Sequence, residues 1–188
     1  LHSTSRRQRQ MCIRDRSGIV RSVYMLVMIP VFAFGATANT LTSRLIGEGK
    51  QNEVMPTVFK TIGQGLIAIL PVLLCCLFIP HTVLSIYTDD LVLADASIPS
   101  LLVICCASIA MSFGIPLFEA VSGTGNTTNA LILESVVLIA YTFSVWFFAS
   151  YISTRVEWVW TSEFTYGTLI GLVSWLFMRF ASWQRKKI

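Results

Sequence analysis

Charge is what this sequence has least of. Asp, Glu, Lys and Arg make up 13% of its 188 residues, where a soluble domain carries about 25%. With 54% hydrophobic residues and a mean hydropathy of +0.69, too little polar surface remains to keep a domain of this size in water. Histidine is nearly absent as well. His2 and His81 are the only two, and neither falls in a Ser/His/Asp, H-E-x-x-H or paired-Asp pattern at membrane depth, so hydrolase and metalloenzyme readings have no support. The five cysteines form no CxxC or His/Cys spacing. Cys75–Cys76 and Cys105–Cys106 are adjacent pairs inside apolar runs and read as packing residues, with no metal site and no cofactor.

The formal charge of +4 is confined to one end. Residues 1–16 hold Arg6, Arg7, Arg9, Arg14 and Arg16 against Asp15 alone, which accounts for all of it. The rest of the chain is neutral, so nucleic acid is not an expected partner. This segment has no apolar run of the signal-peptide kind. It is expected to be a disordered tail foreign to the fold, leaving 17–188 as one transmembrane helical domain.

What is abundant is uninterrupted apolar sequence. A helix crosses the hydrocarbon layer with about 20 mostly apolar residues, and five segments approach that: about Ser22–Ser43, Val58–Ile79, Ile98–Phe118, Ala130–Ile152 and Val159–Phe180. The last has a short uncharged core, Phe164–Met178, so Glu163 and Arg179 are expected to reach outward to the interfaces. In lipid only helices and closed barrels satisfy the backbone, and runs such as LLVICCASIAM lack the alternation of barrel strands. The expected fold is therefore all-α: a polytopic membrane helix bundle of about five spans, with the lipid bilayer as its surroundings.

Arg44, Lys50 and Lys60 cluster around the first turn, and Arg179, Arg185, Lys186 and Lys187 at the C-terminus. The opposite side holds Asp89, Asp90 and Asp95 in one loop and Arg155, Glu157 and Glu163 in the other. The positive-inside rule then predicts a cytoplasmic C-terminus in a prokaryotic inner or plasma membrane. Tyr151, Trp158 and Trp160 near the outer loop, with Trp183 at the inner end, fit an aromatic belt. An odd number of spans beginning outside suggests that further helices precede them.

Two stretches carry a resemblance: PVFAFGATANTLTSRLIGEGKQNEV and FEAVSGTGNTTNALILE. Together they resemble the C-terminal lobe of the multidrug and toxic compound extrusion (MATE) family. The resemblance implies helices 8–12 of a twelve-helix, two-lobe secondary antiporter that exports organic cations and drugs, coupled to Na+ or H+. It also implies a missing N-terminal half as partner. A lipid or precursor flippase of the same superfamily is the alternative, as is a truncated segment with only a packing role.

On physical grounds alone, Gly47 and Gly49, and likewise Gly123 and Gly125, can end helices with positive φ. Thr37, Asn39, Thr40, Thr42 and Ser43 crowd one half of the first span, where such residues either bond neighbouring helices or line a wet cavity. Pro30, Pro71 and Pro116 lie within spans and Pro56 caps one. Glu119 and Glu134 are the carboxylates at membrane depth, each about 6–8 Å from the second turn at 1.5 Å rise per residue. Intramembrane acids default to a functional reading. A structural ion-pair ring with Arg44 and Lys60 is the competing one. Of the two acids, Glu134 is expected to matter more for transport, sharing hydrogen bonds with Asn39 and Thr40, while Glu119 lies within reach of Lys60 or Arg44.

Overall fold

The computed structural model describes the backbone of residues 2–152 and 156–180, with side chains from 17 to 151 and from 158 to 180. Helix α1 runs His2–Gly47, α2 Val54–Phe78, α3 Pro80–Ser85, α4 Leu91–Gly123, α5 Thr127–Phe147 and α6 Val156–Phe180. A 3-10 turn, Gln51–Glu53, leads into α2, and a π turn, Phe148–Ile152, extends α5. No strand occurs among the described residues, and the all-α membrane bundle stands.

All five expected spans are helices, with two adjustments. Four of them meet the length and apolarity of a membrane span: Ser17–Gly47, Gln51–Phe78, Leu91–Gly123 and Thr127–Tyr151. Helix α6 is 25 residues long but carries Glu163 and Arg179, which lower its apolarity. The other difference concerns the N-terminus. The segment expected to be disordered is helical from His2. Between His2 and Ser17 there is neither Gly nor Pro, so a helix nucleated by the apolar span can propagate through it at little cost per residue. Arg155, the side chain of Glu157 and the C-terminal Trp183, Arg185, Lys186 and Lys187 lie outside the described residues.

Helix α4 is the hub, packing chiefly on α1 and α6, while α2 packs on α1 and α4, and α5 on α6. The core stacks in three layers along the bundle. One joins the ends of α1, α2, α4, α5 and α6 around Ile46, Val54, Val58, Leu117, Val121, Ala130 and Met178. The middle layer is built on Val27, Val31, Ile69, Met111 and Ile115. The far layer gathers Val23, Cys76, Leu84 and Leu101. Successive long helices are thus antiparallel, as their short connections require.

The two turns at the first end use glycine differently from expectation. Gly49 and Gly125 have φ of +74° and +75°; Gly47 and Gly123 do not, and each closes the last turn of its helix. Around Gly49 the Lys50 N–H donates to the Leu45 carbonyl at 2.8 Å and the Gly49 N–H to Ile46 at 3.0 Å. This is the paired closure of a Schellman motif, which needs a left-handed residue at that one position. Gly123 instead permits a close crossing: a Cβ there would lie 2.6 Å from the Asn39 carbonyl oxygen. The tightest approach joins α4 to α6. A Cβ on Gly114 would lie 2.5 Å from the Gly167 carbonyl oxygen, and one on Gly167 would lie 2.9 Å from the Met111 nitrogen. Small residues let membrane helices approach to backbone contact and gain dispersion and weak polar contacts that lipid cannot supply.

Candidate functional site

Two polar centres sit inside the bundle, one at each end. The first lies at the turn end, on the seam between α1 and α4. Gly35, Asn39 and Ser43 recur every four residues along α1 and face Ile115, Glu119 and Gly123 on α4, also four apart. That matched spacing brings one stripe of each helix into register. Asn39 Nδ2 donates to Glu119 Oε2 at 2.9 Å, and Ser43 Oγ donates to the Gly123 carbonyl at 3.0 Å. Thr37 and Thr40 return their hydroxyls to the carbonyls of Ala33 and Ala36 in their own helix and remain exposed.

Several site expectations change here. Asn39 pairs with Glu119, not Glu134, because Asn39 and Glu119 fall on the packed α1–α4 faces whereas α5 scarcely touches α4. Thr40 reaches neither acid. Glu134 is half-buried on α5 and has no hydrogen bond or ion pair among the described residues; it lies within electrostatic reach of Tyr166. Among the described residues no ion pair joins Glu119 or Glu134 to Arg44 or Lys60, so the expected ring is not seen there. Arg44 Nε sits 2.8 Å from Glu48 Oε1 and Lys50 Nζ 2.9 Å from Glu48 Oε2, and Lys60 is exposed. Arg44 and Glu48 are four residues apart on one helix, and the short reach wins over a partner on another helix. Together the two cations hold the Glu48 carboxyl below its usual range, chiefly through their hydrogen bonds.

The second centre was not expected from the sequence. Glu163 on α6 is half-buried and points inward instead of outward to an interface. Tyr24 on α1 donates its hydroxyl to Glu163 Oε2 at 2.9 Å, and Tyr141 on α5 donates to Oε1 at 2.7 Å. One carboxylate therefore ties three helices together. Hydrogen bonds to a charged acceptor are the strong ones, and they repay part of the cost of keeping an acid at this depth. Aromatic edges brace the arrangement: Tyr24 meets Trp160 with ring centroids 5.8 Å apart, and Tyr141 meets Tyr166 at 5.5 Å. The three helices enclose a cavity of about 630 Å³ lined by Arg21, Tyr24, Met25, Tyr141, Trp160 and Glu163 among others, a volume in the range of ligand pockets. Neither partner of Glu163 is legible from its own helix, since Tyr24 lies 139 residues away in sequence. The one available signal was an acid one helical turn before a tyrosine, Tyr166, in an otherwise apolar span.

No group of three or more metal-ligating side chains occurs among the described residues. What the two centres offer is polar or charged lining inside a membrane bundle. Residues 17–147 match the MatE family model. The chain belongs to the MatE family. Its members are membrane transporters and not enzymes, and the resemblance carried by the two glycine turns is thereby confirmed. The match takes in α1 to α5 and both turns, and ends before α6 with its Glu163. No curated protein and no solved structure matches the chain.

Proposed function

We propose that this MatE chain forms part of a secondary active antiporter that exports organic cations in exchange for Na+ or H+, moving against a second helical lobe. One observation supports the reading above others. Thr37 and Thr40 put hydroxyl-bearing side chains on the exposed face of a membrane-spanning helix, beside the half-buried Asn39–Glu119 pair. Lipid tails gain nothing from such a face, whereas a wet passage between two moving lobes suits it. Glu119 is then the acid best placed to exchange a cation there. Its Oε2 accepts from Asn39, and its Oε1 has no hydrogen bond among the described residues and is available to a passing charge. Glu134, away from that face, takes second place, reversing the order expected from sequence.

The test is ethidium efflux from cells expressing the gene that encodes residues 17–188 in its genomic context, under imposed Na+ or H+ gradients. Gradient-dependent efflux above a vector control is expected. Glu119→Gln should lower it by about tenfold or more, the effect of losing one charge-assisted contact, and Glu134→Gln should lower it less. Efflux equal to the vector under both gradients refutes the function. Efflux that survives Glu119→Gln but not Glu134→Gln refutes the assignment of the acid.

A further inference from the structure

The Glu163 cavity carries charges of both signs. Arg21, Tyr24 and Met25 line it from α1, Tyr141 from α5, and Trp160 and Glu163 from α6. Arg21 is exposed and has no ion-pair partner among the described residues. A site for a simple cation would not place a guanidinium in its own wall, and a site for a simple anion would not present a carboxylate. One pair of opposite charges in the wall of an aromatic-lined cavity fits a zwitterion.

The depth of the pair narrows the ligand. The uncharged run of α1, from Ser22 to Ser43, has 22 residues, about 33 Å at 1.5 Å rise per residue. The hydrocarbon core is about 30 Å thick and the whole bilayer about 40–45 Å. That run matches the hydrocarbon core, so the charged residues flanking it fall in the headgroup layers. Arg21 immediately precedes the run and so stands at headgroup level. Glu163 accepts from Tyr24, which lies three residues further along α1 than Arg21, so the acid is deeper by about 4.5 Å at 1.5 Å rise per residue. The cavity also opens sideways: Met25 on one wall is exposed, and α5, which forms another, is exposed along most of its length.

We propose that this cavity binds the headgroup of a phosphoethanolamine lipid from the bilayer, with the phosphate on Arg21 and the ammonium on Glu163. An arginine presents its planar fork to phosphate oxygens. The ammonium supplies three donors to a carboxylate whose oxygens already hold two phenols, and the Trp160 and Tyr24 rings offer the flanking π-faces that favour an ammonium. The acyl chains leave along the Met25 side. This site is independent of the antiport reading and involves a different end of the bundle, so either can fail alone.

The experiment is native mass spectrometry of the purified 188-residue chain in detergent, delipidated and then offered palmitoyl-oleoyl phosphatidylethanolamine or phosphatidylglycerol at equal concentration. The two lipids share their chains and phosphate and differ in the ammonium. Retention of the ethanolamine lipid at least about fivefold above the glycerol lipid is expected, the effect of one charged contact near the surface. Glu163→Gln should abolish the preference while leaving glycerol-lipid binding unchanged, and Glu163→Asp should restore part of it, which separates a charge effect from misfolding. Arg21→Gln, at an exposed position, should weaken both lipids. Equal retention of the two lipids by the native chain overturns the proposal, as does a preference that survives Glu163→Gln. Binding of soluble phosphoethanolamine as tight as that of the lipid overturns it too, since the site would then serve a soluble zwitterion.

Discussion

Replacing Gly114 by alanine should break the closest contact in the bundle. The added Cβ would stand 2.5 Å from the Gly167 carbonyl oxygen and 2.7 Å from Ile170 Cγ2, where carbon and oxygen normally keep about 3.3 Å or more. The obstacle at Gly167 is backbone and cannot rotate aside. Helices α4 and α6 must therefore separate by roughly 0.5–1 Å, and a gap of that size forfeits a quarter to a half of the dispersion across the seam. Overpacking of this kind costs about 1–3 kcal/mol. The helix propensity of alanine over glycine works the other way by about 1 kcal/mol, so a net loss of up to about 2 kcal/mol is expected. Gly63→Ala is the matched control, since nothing lies within 4 Å of a Cβ there and only the propensity gain of up to about 1 kcal/mol should appear. Unfolding of each variant in mixed detergent micelles, followed by far-ultraviolet circular dichroism, measures the difference. If Gly114→Ala is as stable as Gly63→Ala, the α4–α6 crossing is not a backbone contact and the reasoning is wrong.

Three further outcomes follow from the same geometry. Gly125→Ala forces a Cβ onto a residue with φ of +75° and should cost about 1–2 kcal/mol in the same unfolding measurement, whereas Gly123→Ala acts through the clash with the Asn39 carbonyl and should also alter the α1–α4 spacing seen by cross-linking. Asn39→Ala strips the half-buried Glu119 of its donor and should destabilise by about 1–3 kcal/mol in the same unfolding measurement. The Glu48 carboxyl is held below its ordinary value of 4.5 by Arg44 and Lys50; it therefore stabilises the first turn above that pH and loses the contribution as pH falls through the lower folded value. Chemical-shift titration of Glu48 should show the depressed midpoint, and Arg44→Gln together with Lys50→Gln should return it to the ordinary range.

The spans were legible because bilayer physics writes itself into composition: a run of twenty apolar residues has few other uses, and each expected span is a helix. The turns were legible for a similar reason, because a helix that must stop within one turn needs a residue tolerant of positive φ; of the four glycines at these turns, Gly49 and Gly125 have it and Gly47 and Gly123 do not. What sequence could not supply is azimuth. Within an apolar run hydrophobic periodicity is weak, so nothing in α1 alone says whether Asn39 faces α4 or α5. Depth was legible and partner was not, which is why Asn39 was matched to Glu134 at a comparable height and found with Glu119. Glu163 failed for the converse reason. Its distance from the end of α6 allowed its side chain to reach an interface, and only the simultaneous arrival of Tyr24 and Tyr141 from two other helices turns it inward. Both errors point to the same rule for polar residues in membrane bundles. Lipid offers an acid no hydrogen bonds, so its direction is set by the nearest donors on neighbouring helices, and those donors are chosen by the glycine crossings. In this chain the α1–α4 contact at Gly123 and the α4–α6 contact at Gly114 fix which faces meet. Apart from the exposed Asp95, which sits 3.2 Å from His81 Nδ1 on α3, the carboxylates among the described residues with donors on other helices are Glu119, one helical turn before Gly123, and Glu163, one turn before Gly167.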